Sequence, residues 1–267
     1  MKPVSVYRQY FYSLSLIDVE EVSETPNKVG DAPDIQTRCA AIHEAIKAMP
    51  DLDLSNPSTF TTLPFPSFLP MPFQRFERKD VNGMCHFEYM GRHPFSELHK
   101  RIHDKIFLFG VETLYLYGTS GSGKSHLLAA LVYNLVREGR RVFYIPDCST
   151  LLLEPEETMR MALTFAFYDS NISGDIKGLN DVRAMIKFMS RYEDLYIIID
   201  QVNALESKDD DNRKATKIQA LSWLDSLRFR HRHIFSASAN EASNREADRK
   251  QSGISVFPIF GGMNVVR

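Results

Sequence analysis

The residues best equipped to do chemistry in this chain of 267 residues lie between Gly118 and Ser125. Gly118-Thr119-Ser120-Gly121-Ser122-Gly123-Lys124-Ser125 spells G-x-x-x-x-G-K-S, the phosphate-binding loop called Walker A. Glycines allow the positive-φ path by which backbone N–H groups turn inward around phosphate oxygens. A helix starting at Gly123 or Lys124 adds its positive N-terminal end to the same pocket. Lys124 would reach the β- and γ-phosphates and the Ser125 hydroxyl would ligate Mg²⁺. The candidate nucleotide-binding set is therefore Gly118, Thr119, Ser120, Gly121, Ser122, Gly123, Lys124, Ser125 and the adjoining His126. The rival reading of the same letters is a structural Gly/Ser turn.

A second group of residues completes the chemistry. Leu195-Tyr196-Ile197-Ile198-Ile199-Asp200 is an apolar run closed by a carboxylate. Such a run suits a strand buried on both faces of a parallel sheet, with Asp200 as the Walker B residue that holds Mg²⁺ directly or through water. Gln201 follows, where ATPases of the additional-strand class carry the Glu that polarises water. Glutamine can orient water but cannot accept its proton, which puts fast hydrolysis in doubt. His233-Ile234-Phe235-Ser236-Ala237-Ser238-Ala239-Asn240 reads as a strand whose polar end would sense the γ-phosphate through Asn240 or Ser238, with Glu241 as a further candidate base. The candidate catalytic residues are thus Lys124, Asp200, Gln201 and Asn240, and the candidate metal ligands Ser125 and Asp200. An arginine finger would come from Arg228, Arg230, Arg232, Arg245 or Arg249, none preferred.

The elements that must hold these residues are legible around them. Val111 to Tyr117 is β-branched and aromatic, as a strand entering the loop would be. His126 to Glu138 lacks Gly and Pro, carries apolar residues at helical spacing, and is stopped by Gly139. Arg141 to Pro146 predicts a strand, Glu154 to Tyr168 and Asn180 to Tyr192 predict helices, Lys214 to Arg228 another helix, and Gly253 to Phe260 a last strand. Alternation of this kind predicts an α/β fold, a mainly parallel sheet with helices on both faces and nucleotide at the carboxyl edge of the strands.

The rest of the chain carries weaker signals. Residues 1–56 form a weakly defined N-terminal segment with a short helix over Thr37–Met49, and residues 57–110 a lead-in to a nucleotide core spanning 111–267. In Pro57–Phe76 prolines alternate with phenylalanines, which predicts an extended strap with buried rings, or a proline ligand for a partner. His99 and His103, spaced i, i+4, share a face of a helix over Pro94–Phe107. No compact spacing supplies further zinc ligands, so they read as ordinary surface or core histidines. The stretch from Gly91 and Arg92 to Leu98 is a candidate cover for an adenine.

Composition narrows the function classes. A net charge of −2 gives no global pull toward nucleic acid or anionic membrane, and nucleic acid is not indicated as a partner. Cys39, Cys85 and Cys148 form no C-x-x-C pair and predict a reducing compartment. No run is long enough to span a bilayer and no signal-peptide layout opens the chain, so a soluble intracellular protein is expected. Asn27-Lys28-Val29-Gly30-Asp31 has the wrong spacing and place for a guanine-reading motif, which favours ATP (or ADP) over GTP.

Gly118 to Leu131, Tyr144 to Cys148, Tyr196 to Leu205 and Ser236 to Asn240 together resemble the nucleoside-triphosphatase domain of Crinkler-type effector proteins of oomycetes and fungi. The resemblance covers roughly residues 60–262 and implies a P-loop NTPase of the AAA/STAND-like group, a three-layer sandwich binding ATP and Mg²⁺. It further implies a switch within an effector secreted and delivered to host cytoplasm or nucleus, with self-association or a fused effector domain beyond this chain. The chain departs from that pattern in lacking a Leu-rich N-terminal header and, after residue 262, room for a nuclease domain. Against an ATPase stand two other readings: a nucleotide-binding interaction module without turnover, and a small-molecule kinase.

Overall fold

The structure is a computed structural model that describes residues 34–72, 76, 78–81, 84–103, 113–169, 173–193, 195–206, 213–227, 231–238 and 254–259. In chain order the first elements are α1 (Ile35–Ala48), β1 (Phe60–Pro64), β2 (Arg78–Val81), β3 (Met84–Met90) and α2 (His93–Ile102). Next come β4 (Thr113–Gly118), α3 (Lys124–Arg137) and β5 (Val142–Ile145). A 3₁₀ turn at Cys148–Leu152 leads into α4 (Pro155–Ala166), α5 (Ser173–Lys177), α6 (Val182–Met189) and β6 (Tyr196–Ile199). The last elements are α7 (Asn203–Glu206), α8 (Lys214–Leu227), β7 (Arg232–Ser238) and β8 (Ile254–Pro258).

β5, β6, β7, β4 and β8 lie in that order in one sheet, every neighbouring pair parallel. Alternate residues of each strand feed opposite faces, as the period of two requires. Leu114, Leu116, Tyr144, Ile198 and Ile234 join one core, while Tyr115, Phe143, Ile145, Ile197, Ile199 and Phe235 join the other. The second core is closed by α4, α6 and α8, the first by α3 and the lead-in elements. Helices thus cover both faces of a parallel sheet, which makes this an α/β P-loop NTPase fold. β7 separates the strand that enters the Gly-rich loop from the strand that runs into Asp200, so one further strand lies between them.

α3 explains the apolar excess of residues 124–137. Ten of its residues are buried, including Leu127 to Tyr133 without a break. A helix apolar on every side must be enclosed on every side, and here the sheet lies beneath it while α1 and the antiparallel sheet β1–β3–β2 lie around it. Within the extended stretch expected over Pro57–Phe76, Phe60–Pro64 is a strand of that small sheet, and Phe73 lies outside the described residues. Phe60–Pro64 pairs along its length with β3, because Pro64 closes the strand instead of interrupting it. The buried rings are real: Phe65 packs edge-on to Phe76 and Phe87, whereas Phe60 is exposed. Among the described residues no helix is long and apolar enough to cross a membrane. Cys39, Cys85 and Cys148 form no disulfide, and burial pushes the Cys39 thiol up to about 12.

Candidate functional site: the phosphate loop and the carboxyl edge of the sheet

The loop from Gly118 to Lys124 is built as a cradle. Gly121 and Gly123 hold φ of 76° and 80°, the left-handed region that non-glycine residues avoid, and Gly123 is the N-cap of α3. Thr119, Ser120 and Gly121 are exposed at the mouth, while Ser122 and Lys124 are buried within. Lys124 Nζ donates to the carbonyls of Gly118 (2.7 Å) and Thr119 (2.8 Å), and reaches Ser122 Oγ at 3.3 Å. Burial holds its ammonium below the ordinary lysine value, and the charge of Asp200 acts in the opposite direction. A phosphate entering the cradle would exchange these carbonyl contacts for anionic oxygens, a stronger partner for a desolvated ammonium. Ser125, on the first turn of α3, is partly buried.

Sheet register brings the rest of the site to the same edge. Gly118 pairs with Ser238, and Ile199 pairs with Phe235, so Asp200 lies level with Ser236. Asp200 is 1% exposed and accepts a hydrogen bond from the Ser236 hydroxyl. Its backbone is tied on the other side, Asp200 N donating to Ile145 O and Cys148 N to Asp200 O. A carboxylate held by the Ser236 hydroxyl on a backbone tied at both ends, within electrostatic reach of Lys124, can serve as a hard oxygen ligand, and with the Ser125 hydroxyl it fits the oxygen preference of Mg²⁺.

Gln201 is the one described non-glycine residue with positive φ, at 62°. It turns the chain from β6 into α7, where Ala204 N donates to Gln201 O and Val202 N to Ser236 O. Asn240, Glu241, Arg228, Arg230, Arg245 and Arg249 lie outside the described residues. The backbone of Ser238, the other candidate at that strand end, stands beside Gly118. Arg232 lies in β7 with its guanidinium over the Tyr196 ring.

Two contacts escaped the sequence reading, which named Arg92 only as part of an adenine cover. Ser236 looked like one small residue among several; only the register shows that its hydroxyl meets Asp200. Arg92 crosses from the lead-in to the loop, where its Nη1 donates to Ser122 O at 2.7 Å. Gly91 makes that crossing feasible, since a Cβ there would stand 2.0 Å from Asn56 O. His126, grouped with the nucleotide set by its position, turns toward the small sheet and packs on Phe76, with ring centroids 4.6 Å apart. His99 and His103 lie together on α2 and meet Glu138, the C-cap residue of α3.

No protein-family profile matches the sequence, and no curated protein matches it. Among solved structures the chain is similar to AMPPCP-bound DnaA from Aquifex aeolicus, with 21% identity over 61% of this chain and 44% of that one, at a TM-score of 0.36. It is similar also to the Aeropyrum pernix Orc1 protein in complex with DNA (14% identity, 63% and 45% covered, TM-score 0.38) and to PCH-2 of C. elegans (16%, 62% and 40%, TM-score 0.33). The matched part is thus under half the length of each of these proteins. At such TM-scores the fold assignment stands on the strand order and the loop of this chain itself.

Proposed function

We propose that this chain binds ATP with Mg²⁺ at the Gly118–Ser125 loop and hydrolyses it slowly, residues 111–267 acting as the nucleotide core of a switch. The observation that carries the reading is the joint placement of a positive-φ Gly cradle, a buried Lys124 and a buried Asp200 at one sheet edge. In this reading Lys124 holds the β- and γ-phosphates, Ser125 and Asp200 hold Mg²⁺, Gln201 orients water and Asn240 senses the γ-phosphate. A Crinkler-like effector is the setting that the motif strings favour, with host cytoplasm or nucleus as its place of action.

Titration with a fluorescent ATP analogue tests the assignment. Lys124→Ala should abolish binding while circular dichroism stays native; undiminished affinity in the variant overturns the reading. Competition favouring GTP over ATP would overturn the choice of base.

The glutamine at position 201 sustains a second reading, a nucleotide-binding interaction module that does not turn over. Steady-state phosphate release separates the two, since the module binds ATP and releases no phosphate above the Lys124→Ala background.

A further inference from the structure

Far from the phosphate loop, the helical pair His99 and His103 meets Glu138, a residue that no sequence spacing links to them. His99 and His103 occupy the last turn of α2 and its C-cap, one helical turn apart, with ring centroids 4.6 Å apart. Both present Nε2 to the carboxylate of Glu138. His99 Nε2 lies 2.6 Å from Oε1 and His103 Nε2 lies 3.3 Å from Oε2. One ligand atom from each of the three falls within 4.8 Å of the other two. We propose that His99, His103 and Glu138 form a transition-metal site, best matched to Zn²⁺, that clips α2 to the end of α3.

A hydrogen-bonded pair alone leaves part of this arrangement unexplained. His99 and Glu138 satisfy one another, but His103 Nε2 is buried and makes no hydrogen bond. Among the described residues its only polar contact is the 3.3 Å approach to Glu138 Oε2; a buried imidazole nitrogen without a hydrogen bond costs free energy, and a cation between the three groups would engage it. Tetrahedral Zn²⁺ with Zn–N of about 2.0–2.1 Å places its ligands about 3.3 Å apart. The His103–Glu138 separation already meets that spacing, and His99 reaches it by a small rotation. The donor set decides the metal: two imidazoles and one carboxylate suit Zn²⁺, whereas Mg²⁺ and Ca²⁺ take oxygen shells.

The surroundings are those of a metal site with an open position. Asn134 Nδ2 donates to Glu138 Oε1 at 2.7 Å and orients the carboxylate from outside, as partners of metal ligands do. The His side chains are 32% and 29% exposed, so a metal can enter and water can fill the fourth place. The charges of Arg140 and Arg232 bear on His103, which makes the site weaker than a closed four-ligand one. α3 is 14 residues long, so Glu138 stands about 21 Å along the helix from Lys124. The clip is therefore separate from the phosphate cradle, while fixing the far end of the helix that the cradle opens.

Zn²⁺ alone, titrated calorimetrically into metal-free protein under excess Mg²⁺, tests the site, with Co²⁺ absorption reporting coordination geometry. One Zn²⁺ per chain should bind, raise the thermal midpoint and give the intense visible bands of a four- or five-coordinate Co²⁺ site. Asn134→Ala should weaken binding about 10- to 100-fold, and His103→Gln or Glu138→Gln by more. Lys124→Ala should leave Zn²⁺ binding unchanged, which separates this site from the nucleotide reading. Circular dichroism checks each variant. If His103→Gln does not fold, Glu138→Gln, which keeps the side-chain shape, decides. Absence of Zn²⁺ binding, or binding retained in a His99→Gln/His103→Gln double variant, overturns the proposal.

Discussion

The Ser236 hydroxyl on β7 donates to Asp200 Oδ1 at the end of β6, so the additional strand grips the carboxylate it separates from the phosphate loop. The same strand accepts from Val202 N and lies within 3.4 Å of Gln201 N through Ser236 Oγ. One residue of β7 thereby sets the position of three consecutive residues after β6. Ser236→Ala removes a donor from a carboxylate that is 1% exposed, and such a loss costs about 1–3 kcal/mol. Urea denaturation should show that decrease. Titrating ATP with and without Mg²⁺ should show the metal-dependent part of the affinity shrinking most. Unchanged stability together with unchanged Mg²⁺ dependence would disprove the grip.

Arg92 reaches the loop from the connection between β3 and α2. Its guanidinium donates to Ser122 O, and burial lowers it from the usual arginine value, while an arginine stays charged in a folded protein. A hydrogen bond from a charged group contributes about 1.5–3 kcal/mol. Arg92→Ala should therefore loosen the loop and weaken ATP-analogue binding severalfold, with the loss appearing mainly as faster dissociation in stopped flow. Arg92→Lys should rescue poorly, since an ammonium on a flexible stem does not reproduce the planar fork. Full affinity in Arg92→Ala would reduce this contact to packing.

The phosphate loop and the strand ending in Asp200 were legible because their chemistry is local: glycine spacing, a lysine and an apolar run each sit on adjacent residues. Helices such as Pro155–Ala166 were readable for the same reason, Pro155 and the acidic Glu156 and Glu157 marking the first turn. The small antiparallel sheet was not. Phe60–Pro64 pairs with Met84–Met90 across a long connection crowded with prolines and phenylalanines, so no local pattern ties the two, and Asn82-Gly83 signals only the turn between β2 and β3. Contacts between distant segments were equally hidden. Ser236 meets Asp200, Arg92 meets Ser122, and His99 and His103 meet Glu138 only through tertiary packing, which no i, i+4 spacing encodes.

Acid should weaken the fold through two histidines, the buried His43 and the half-buried His126. Burial lowers His43 to about 4 from an ordinary 6.5, although the Phe165 carbonyl bonded at Nε2 and the charges of Asp169 and Glu44 oppose the shift. His126 is likewise lowered to about 4 by burial, with the Arg92 charge adding to it. Between pH 6.5 and 4 the unfolded chain takes up protons that the folded chain refuses. Stability is therefore fully present above pH 6.5 and is lost as pH falls toward 4, by a few kcal/mol for the two together. Urea midpoints at pH 7 and pH 5 should show the decrease, and His43→Gln should reduce the difference. Equal slopes for wild type and a His43→Gln/His126→Asn double variant would rule these groups out.

Gln201 holds the conformation least expected of its residue type, with φ at 62° directly after the buried Asp200. A non-glycine residue in the left-handed region costs roughly 1–2 kcal/mol, and such outliers gather where geometry serves chemistry. Two substitutions separate the backbone from the side chain. Gln201→Gly relieves the backbone, so the thermal midpoint should rise, yet it removes the group that would orient water, so phosphate release should fall to background. Gln201→Glu keeps the size and supplies a proton acceptor, and general-base assistance should raise phosphate release by about 100-fold. A rise with Glu and a loss with Gly would mark the native glutamine as a brake on a competent site. If both variants match wild type in phosphate release, position 201 serves only the turn into α7, and the attacking water takes its direction from elsewhere on the sheet edge.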